Sequence, residues 1–254
     1  MAFPVVSEER EMAFCEGDFL IKVLETREEL TQAYQLRHRV FAEKLKWVPR
    51  TEDGQEMDMY DLWGASIGLL DGGGRLHGLA RLLPSSGPFM IEQDLRLLLP
   101  PNHNLRKEPD TAEITRLAID PDIKDKGLSA RLMLTLIKGI YQWAMRQGVR
   151  YLYLEVDHRF FRTLNAIGIP AVPLGPPVAL PPAGTISIAA KMDIVKCEQV
   201  LGRKRPAVME WMSTIETTQG KIEKRTTAES MKTGPISALS TAGALEEMQT
   251  CVSV

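Results

Sequence analysis

Three arginines stand where a folded chain would be expected to place apolar side chains. Arg37 falls on the apolar stripe of a helical segment, one turn before Phe41. Arg81 lies inside the strand-like run Leu79 to Leu83, and Arg116 shares the run Ala112 to Ile119 with Glu113. Asp58 and Asp61 flank Met59-Tyr60 in a polar stretch, and Trp47 follows the first helical segment. Buried charges persist mostly when paired, and three guanidinium groups can pair with the three carboxylates Asp58, Asp61 and Glu113. Such a set is either a structural ion-pair network or the wall of a polar cleft. In a cleft, a carboxylate can take a proton from an ammonium, a guanidinium can hold a carboxylate, and an aromatic face can hold a cation. Glu113 and Arg116 are three residues apart, so a regular strand sends them to opposite faces. A β-bulge near Thr115 would re-aim one of them and free backbone amides.

A second group gathers at Lys124-Asp125-Lys126-Gly127-Leu128-Ser129. A glycine-bearing turn between a strand and a helix presents free amides at the positive helix end, which suits phosphate oxygens. Arg131 and Lys138 share one side of that helix, away from its apolar stripe, and Arg159 and Arg162 extend the basic face. The alternative is an ordinary turn, cap and solvated helix face.

These residues need elements to position them. Phe19 to Leu24 reads as a strand, and Thr26 with Glu29 as a capping box opening a helix to about Leu45. Ile67 to Leu70 and Leu76 to Leu83 read as strands joined by Asp71-Gly72-Gly73-Gly74, a hairpin turn and not a nucleotide loop. Pro49 to Met59 reads as loop, and Pro84 to Lys107 as irregular with a short helix near Ile91 to Leu98. Ala112 to Ile119 is a strand. Leu132, Met133, Leu136, Ile137, Ile140, Trp143 and Ala144 repeat with helical spacing up to Gly148. Tyr151 to Val156 is a strand, Phe160 to Ile167 a helix stopped by Gly168, and Thr185 to Ala190 the last strand, after a proline-rich crossing. The order is β-α-β-β-β-α-β-α-β, an α/β chain with a mixed central sheet flanked by helices.

We expect a loose arm over residues 1–18, one domain over 19–202, and an extension over 203–254. In the extension, Val208, Trp211, Met212 and Ile215 form one amphipathic helix, with a weakly held tail beyond Gly220. The chain has 254 residues, 44% hydrophobic and 25% charged, with a formal charge of −2. That composition excludes collagen-like, disordered and disulfide-scaffold classes and gives no bulk reason for nucleic-acid binding. Cys15, Cys197 and Cys251 are scattered, as in a reducing cytoplasm. No run approaches the roughly 18 apolar residues of a membrane span, and the N-terminus does not read as a signal peptide. His38, His77, His103 and His158 lack metal-ligand spacing, so no metal is expected.

Taken in order, Arg37-x3-Phe41-x5-Trp47, Glu56-x-Asp58-x2-Asp61, Arg81-Leu82-Leu83-Pro84 and Glu113-x2-Arg116 resemble the acyl-homoserine-lactone synthases, the LuxI-type autoinducer synthases, which have a GNAT-like (acyl-CoA N-acyltransferase-like) fold. The segments LRHRVFAEKLKWVP and FFRTLNAIGIPAVPLGPP add to the resemblance, which covers roughly Phe19 to Asp193. The resemblance implies transfer of an acyl group from an acyl carrier protein or CoA thioester to the amine of S-adenosylmethionine, then lactone closure and release of methylthioadenosine. These would be substrates; no bound cofactor is implied. It implies Glu113 as the base, with Arg116 beside it. Arg37, Phe41, Trp47, Asp58, Asp61 and Arg81 would bind substrate. The loop at Lys124 to Ser129 resembles the GNAT pyrophosphate loop, Gln/Arg-x-x-Gly-x-Gly/Ala, with Lys124 and Ser129 at the varied positions. Lys124, Lys126, Gly127, Ser129, Arg131 and Lys138 would then face the acyl carrier or its phosphate. The acyl chain would lie among strands 112–119 and 151–156 and the helix between. An N-acyl amino acid synthase that forms no lactone, and a GNAT-like module that binds without turnover, are the competing readings.

Overall fold

The computed structural model describes residues 12–215. The strands are β1 (Ala13–Glu16), β2 (Phe19–Val23), β3 (Ala65–Leu70), β4 (Leu76–Pro84), β5 (Thr111–Ile119), β6 (Tyr151–Asp157), β7 (Ala171–Pro173), β8 (Val178–Leu180) and β9 (Thr185–Asp193). The helices are α1 (Arg27–Arg37), α2 (Met90–Gln93), α3 (Lys126–Gln147), α4 (His158–Ile167), α5 (Ile194–Lys204) and α6 (Pro206–Ser213). One sheet runs β1-β2-β3-β4-β5-β6-β9-β7, with β8 also on β9. Within it β5 and β6 are parallel and the other pairs antiparallel.

The capping box forms as its residue types require. The Glu29 amide donates to Thr26 Oγ1 at 3.2 Å, and the Thr26 amide to the Glu29 carboxylate at 3.1 Å. α1 does not run on to Leu45 as a uniform α-helix. It passes at His38 into a π-helical segment, His38–Lys44, the wider winding found often where function bends a helix. α3 closes at Gly148, which takes φ +67°, a left-handed cap that glycine reaches without strain. At Gly139 of α3 a Cβ would come within 2.9 Å of Ile21, so the missing side chain lets the helix lie close on β2.

Helices α3, α4, α5 and α6 cover one face of the sheet around Ile114, Leu117, Leu136, Ile140, Leu154 and Leu164. The other face carries α1 and the π segment over Leu70, Leu79 and Ala118, and beside them α2 over Leu83 and Tyr153. The ladder between β5 and β6 spans only Thr111–Ile114 against Tyr151–Leu154; beyond it the two strands part.

Several expectations are corrected. The arm is not loose throughout: Ala13–Glu16 is a strand with Phe14 fully buried, because its apolar side chains complete the sheet edge under α3. The proline-rich crossing holds β7 and β8, and the piece near Ile91 is α2 followed by a 3-10 turn at Arg96–Leu98. The amphipathic helix of the extension is α6, buried through Val208 and Met212, and α5 crosses the expected boundary at 203. The tail expected beyond Gly220 lies outside the described residues. Among the described residues no helix is long and apolar enough to cross a membrane.

Candidate active site

Arg81 enters the site from β4. Antiparallel pairing sets Arg81 against Thr115 and Leu83 against Glu113, on one face of the sheet. The expected bulge is present, one residue further along. Between the pairs Leu79–Ala118 and Arg81–Thr115, β4 has one residue and β5 has two, Arg116 and Leu117. Arg116 takes φ +53°, an unfavourable conformation for a residue with a Cβ and one that clusters at functional sites. The extra residue turns Arg116 onto the face of Glu113 while Leu117 returns to the opposite core.

Three guanidinium groups and three carboxylates then close on one another. Arg37 Nε donates to Glu56 Oε2 at 2.5 Å and Nη1 to Asp61 Oδ1 at 2.6 Å. Arg81 Nη1 donates to Asp58 Oδ1 at 2.5 Å and to Asp61 Oδ1 at 2.8 Å, and Nη2 to Asp58 Oδ2 at 2.9 Å. Arg116 Nη2 donates to Glu56 Oε1 at 2.9 Å and to Asp58 Oδ2 at 3.1 Å. The expected three-and-three balance holds, but Glu56 supplies the third acid in place of Glu113. Burial alone would raise the Glu56 carboxyl; the Arg116 and Arg37 guanidinium groups override it and hold its pKa at about 2. Burial is likewise overridden at Asp61, mainly by Arg37, and its pKa stays below the usual value.

Glu113 lies apart, fully buried beneath α2. Its carboxylate accepts from the Met90 amide at 2.6 Å and the Ile91 amide at 2.8 Å. Burial raises its pKa, against the pull of those amides, of Glu155 and of Arg81, to about 7. Glu155 of β6, which the sequence reading passed over, is also fully buried, and its carboxyl lies against that of Glu113. Its own pKa stands well above the usual carboxyl value, first through burial and then through the charge of Glu113.

Beside this polar cluster is a pocket of about 180 Å³, lined by Phe41, Trp47, Met90, Asp94, Arg116 and Ser187 among others. Phe41 and Trp47 stand with ring centroids 5.9 Å apart, and Arg116 covers the Phe41 ring at 5.3 Å. The Trp47 indole donates to Thr185 Oγ1 at 2.7 Å, tying the loop after the π segment to β9. Thus Phe41, Trp47 and Arg116 line the pocket. Arg37, Arg81, Asp58 and Asp61 form the network behind it, and Glu113 sits one layer below Met90. On the other face of the sheet, an almost wholly apolar pocket of about 70 Å³ runs among Ile114, Leu117, Leu154, Val156, Met209 and Met212.

The basic group is only partly assembled. Lys124, Lys126, Gly127 and Arg131 are exposed and Ser129 half-buried near the start of α3. The Asp125 carboxylate already takes the Leu128 amide there at 3.0 Å. Lys138 is not part of a docking face. It is buried, pairs with Glu16 at 2.7 Å, and lies over the Phe14 and Trp211 rings. Helical spacing put it on one side with Arg131, but β1 and α6 cover that side. Arg159 and Arg162 are both exposed.

Residues 22–200 match the family model described as autoinducer synthase. The chain is 34% identical over 177 residues to an acyl-homoserine-lactone synthase of Agrobacterium fabrum (strain C58), covering 67% of this chain and 82% of that one. It is 35% identical over 167 residues to one of Rhizobium radiobacter, covering 64% and 77%. Among solved structures, TofI in a ternary complex with an inhibitor and MTA matches with a TM-score of 0.60 and 24% identity, covering 75% of this chain and 96% of that one. The AHL synthase LasI matches with a TM-score of 0.62 and 19% identity, covering 69% and 90%. These likenesses bear out the expected GNAT-like fold: a mixed central sheet between helices.

Proposed function

The chain belongs to the autoinducer synthase family, and from that premise we propose how its cleft performs the family's reaction. The protein is an acyl-homoserine-lactone synthase, an acyltransferase that uses S-adenosylmethionine and an acyl thioester. The amine nitrogen attacks the thioester carbonyl, the new N–C bond forms, the C–S bond breaks and the thiol leaves. The substrate carboxylate oxygen then attacks the γ-carbon, closing the lactone and expelling methylthioadenosine. The observation that carries the site assignment is the bulge at Arg116. It sets a guanidinium at the pocket and a carboxyl with a pKa of about 7 on the same face of one strand.

S-adenosylmethionine occupies the pocket beside Arg116, with its carboxylate on that guanidinium and its cationic end against Phe41 and Trp47. Arg37, Arg81, Asp58, Asp61 and Glu56 hold Arg116 in place and set the charge around it. Glu113 is the base. Its pKa matches proton abstraction near neutrality, and its depth below Met90 means it takes the amine proton through an intervening water. The thioester enters where β5 and β6 part, and backbone amides along that gap stabilise the oxyanion. The acyl chain passes through the gap into the apolar pocket behind it.

The donor's phosphopantetheine arm, common to acyl carrier protein and CoA, approaches from the start of α3. Lys124, Lys126 and Arg131 remain to meet it, and the Asp125 cap disfavours a second anion on the helix amides themselves. Purified protein is tested with S-adenosylmethionine and panels of acyl-CoA and acyl-carrier thioesters, following thiol and methylthioadenosine. Both products are expected; thiol without methylthioadenosine would overturn the lactone step. Arg131→Glu should raise the KM for an acyl carrier and leave that for S-adenosylmethionine unchanged, and an equal rise in both would refute docking there. Glu113→Gln should lower acyl transfer by about a hundredfold or more.

A further inference from the structure

We propose that Glu155 is the positioning residue of the base: it carries the one proton the two buried carboxyls share and donates it to the Glu113 carboxylate across the split between β5 and β6. The proposal rests on the reading of Glu113 as base.

The geometry begins with the register. Glu113 stands opposite Tyr153, and the last pair of the parallel ladder is Ile114 with Leu154. Glu155 is the next residue of β6, on the same face as Tyr153, at the point where the strands separate. On its other side it faces Ala189 of β9, which brings no charge. Glu155 is fully enclosed, away from bulk solvent. Both oxygens of Glu113 are already engaged by amides of α2, which can only donate. A hydrogen bond between the two adjoining carboxyls requires a proton, because two ionised carboxylates in contact repel and neither can donate.

The surroundings decide which carboxyl keeps it. Arg81 faces the pair from β4, and Met90 and Ile91 bring two amides from α2. Both favour charge on Glu113. Tyr60, whose hydroxyl donates to Asp94 at 2.8 Å, faces Glu113 from the 3-10 turn Met59–Leu62 as a neutral phenol. Arg116, on β5 itself, is taken up by Glu56 and Asp58. Tyr153 turns its hydroxyl to the Arg106 amide. Burial and the neighbouring Glu113 both disfavour the charged form of Glu155. The proton stays on Glu155, and Glu113 becomes a carboxylate held by three donors. Those donors fix its orientation and hold its pKa below where burial alone would push it. The pair titrates as a unit, and the ionisation near pH 7 is that of the Glu113 end.

The test uses the pH profile of acyl transfer, read as thiol release under saturating S-adenosylmethionine, for wild type, E155Q, E155L and E113Q. The substrate amine titrates alike in all of them, so a difference between profiles belongs to the enzyme. E155L removes the donor, and its acid limb should move up by about one unit. E155Q keeps a donor of the same length; its limb should stay with that of wild type although its rate is lower. An unmoved limb in E155L, or an equal shift in both variants, overturns the proposal. Infrared spectroscopy reads the proton without turnover. At about pH 8, above the Glu113 ionisation, wild type should show the carbonyl band of a buried carboxylic acid and E155Q should lack it. Absence of the band in wild type, or its persistence in E155Q, also overturns the proposal. A failure of the base reading looks different, because E113Q would then retain the full rate while the band behaves as expected.

Discussion

Glu56 and Glu113 titrate in opposite directions from one site, and this gives the protein a legible dependence of stability on pH. The Glu56 pKa falls from 4.5 to about 2 on folding. Its contribution is present above 4.5 and is lost as pH falls through about 2, and at ~1.4 kcal/mol per unit it is on the order of 3 kcal/mol. The Glu113 pKa rises from 4.5 to about 7, so its contribution is present below 4.5 and is lost as pH rises through 7. Urea melts should therefore show stability falling below about pH 4.5 and again between about 4.5 and 7. Glu56→Gln should flatten the acid side and Glu113→Gln the neutral side; if the slopes do not respond, the assigned shifts are wrong. Most of the site residues stand out in sequence because a charge interrupts an apolar stripe or strand. Glu56 does not, since it sits in a polar stretch where an acid is unremarkable. Glu155 sits in YLYLEV, where one acid among alternating apolar residues reads as the solvent side. The available signal was the strand's setting between two helices in a parallel pair, because such strands are buried on both faces.

The elements were easier to read than the residues. The capping box, the glycine stops at Gly148 and Gly168, and the helical periods of α3 and α4 depend on local chemistry, and each is found where that chemistry puts it. β7 and β8 were not legible, because both short strands exist through pairing with β9, and no local residue pattern marks the change to π winding at His38. α6 is the element with the most specific consequence. Met209 and Met212 line the apolar pocket, yet they lie beyond the residues that match the family model. Methionine fills irregular space and yields readily. Met209→Ala with Met212→Ala should lengthen the preferred acyl chain, measured by mass spectrometry of the lactones, and lower stability by about 2–5 kcal/mol for the more deeply buried Met212. An unchanged product distribution would remove α6 from the pocket wall.

At the scale of the whole molecule, a net charge of −2 conceals a closed set of three cations and three anions in the cleft and an internal ion pair at Lys138. The second of these is structural. Lys138→Glu would set like charges against each other at Glu16 and should destabilise the protein by about 3 kcal/mol or more. Arg131→Glu, a surface change seven residues earlier on α3, should stay within about 0.5 kcal/mol. Thermal melts of the two variants distinguish a buried strut from a docking residue. The strut also imposes an order of events during synthesis. Glu16 accepts from Lys138 in mid-chain and from the Trp211 indole at 3.0 Å, so the edge strand, the long helix and α6 are closed by one carboxylate. A ribosome has to release almost the entire described chain before that knot can be tied. Until then the sheet edge and the apolar pocket are open to solvent, and a chain stalled before residue 206 lacks the Met209 and Met212 wall of that pocket.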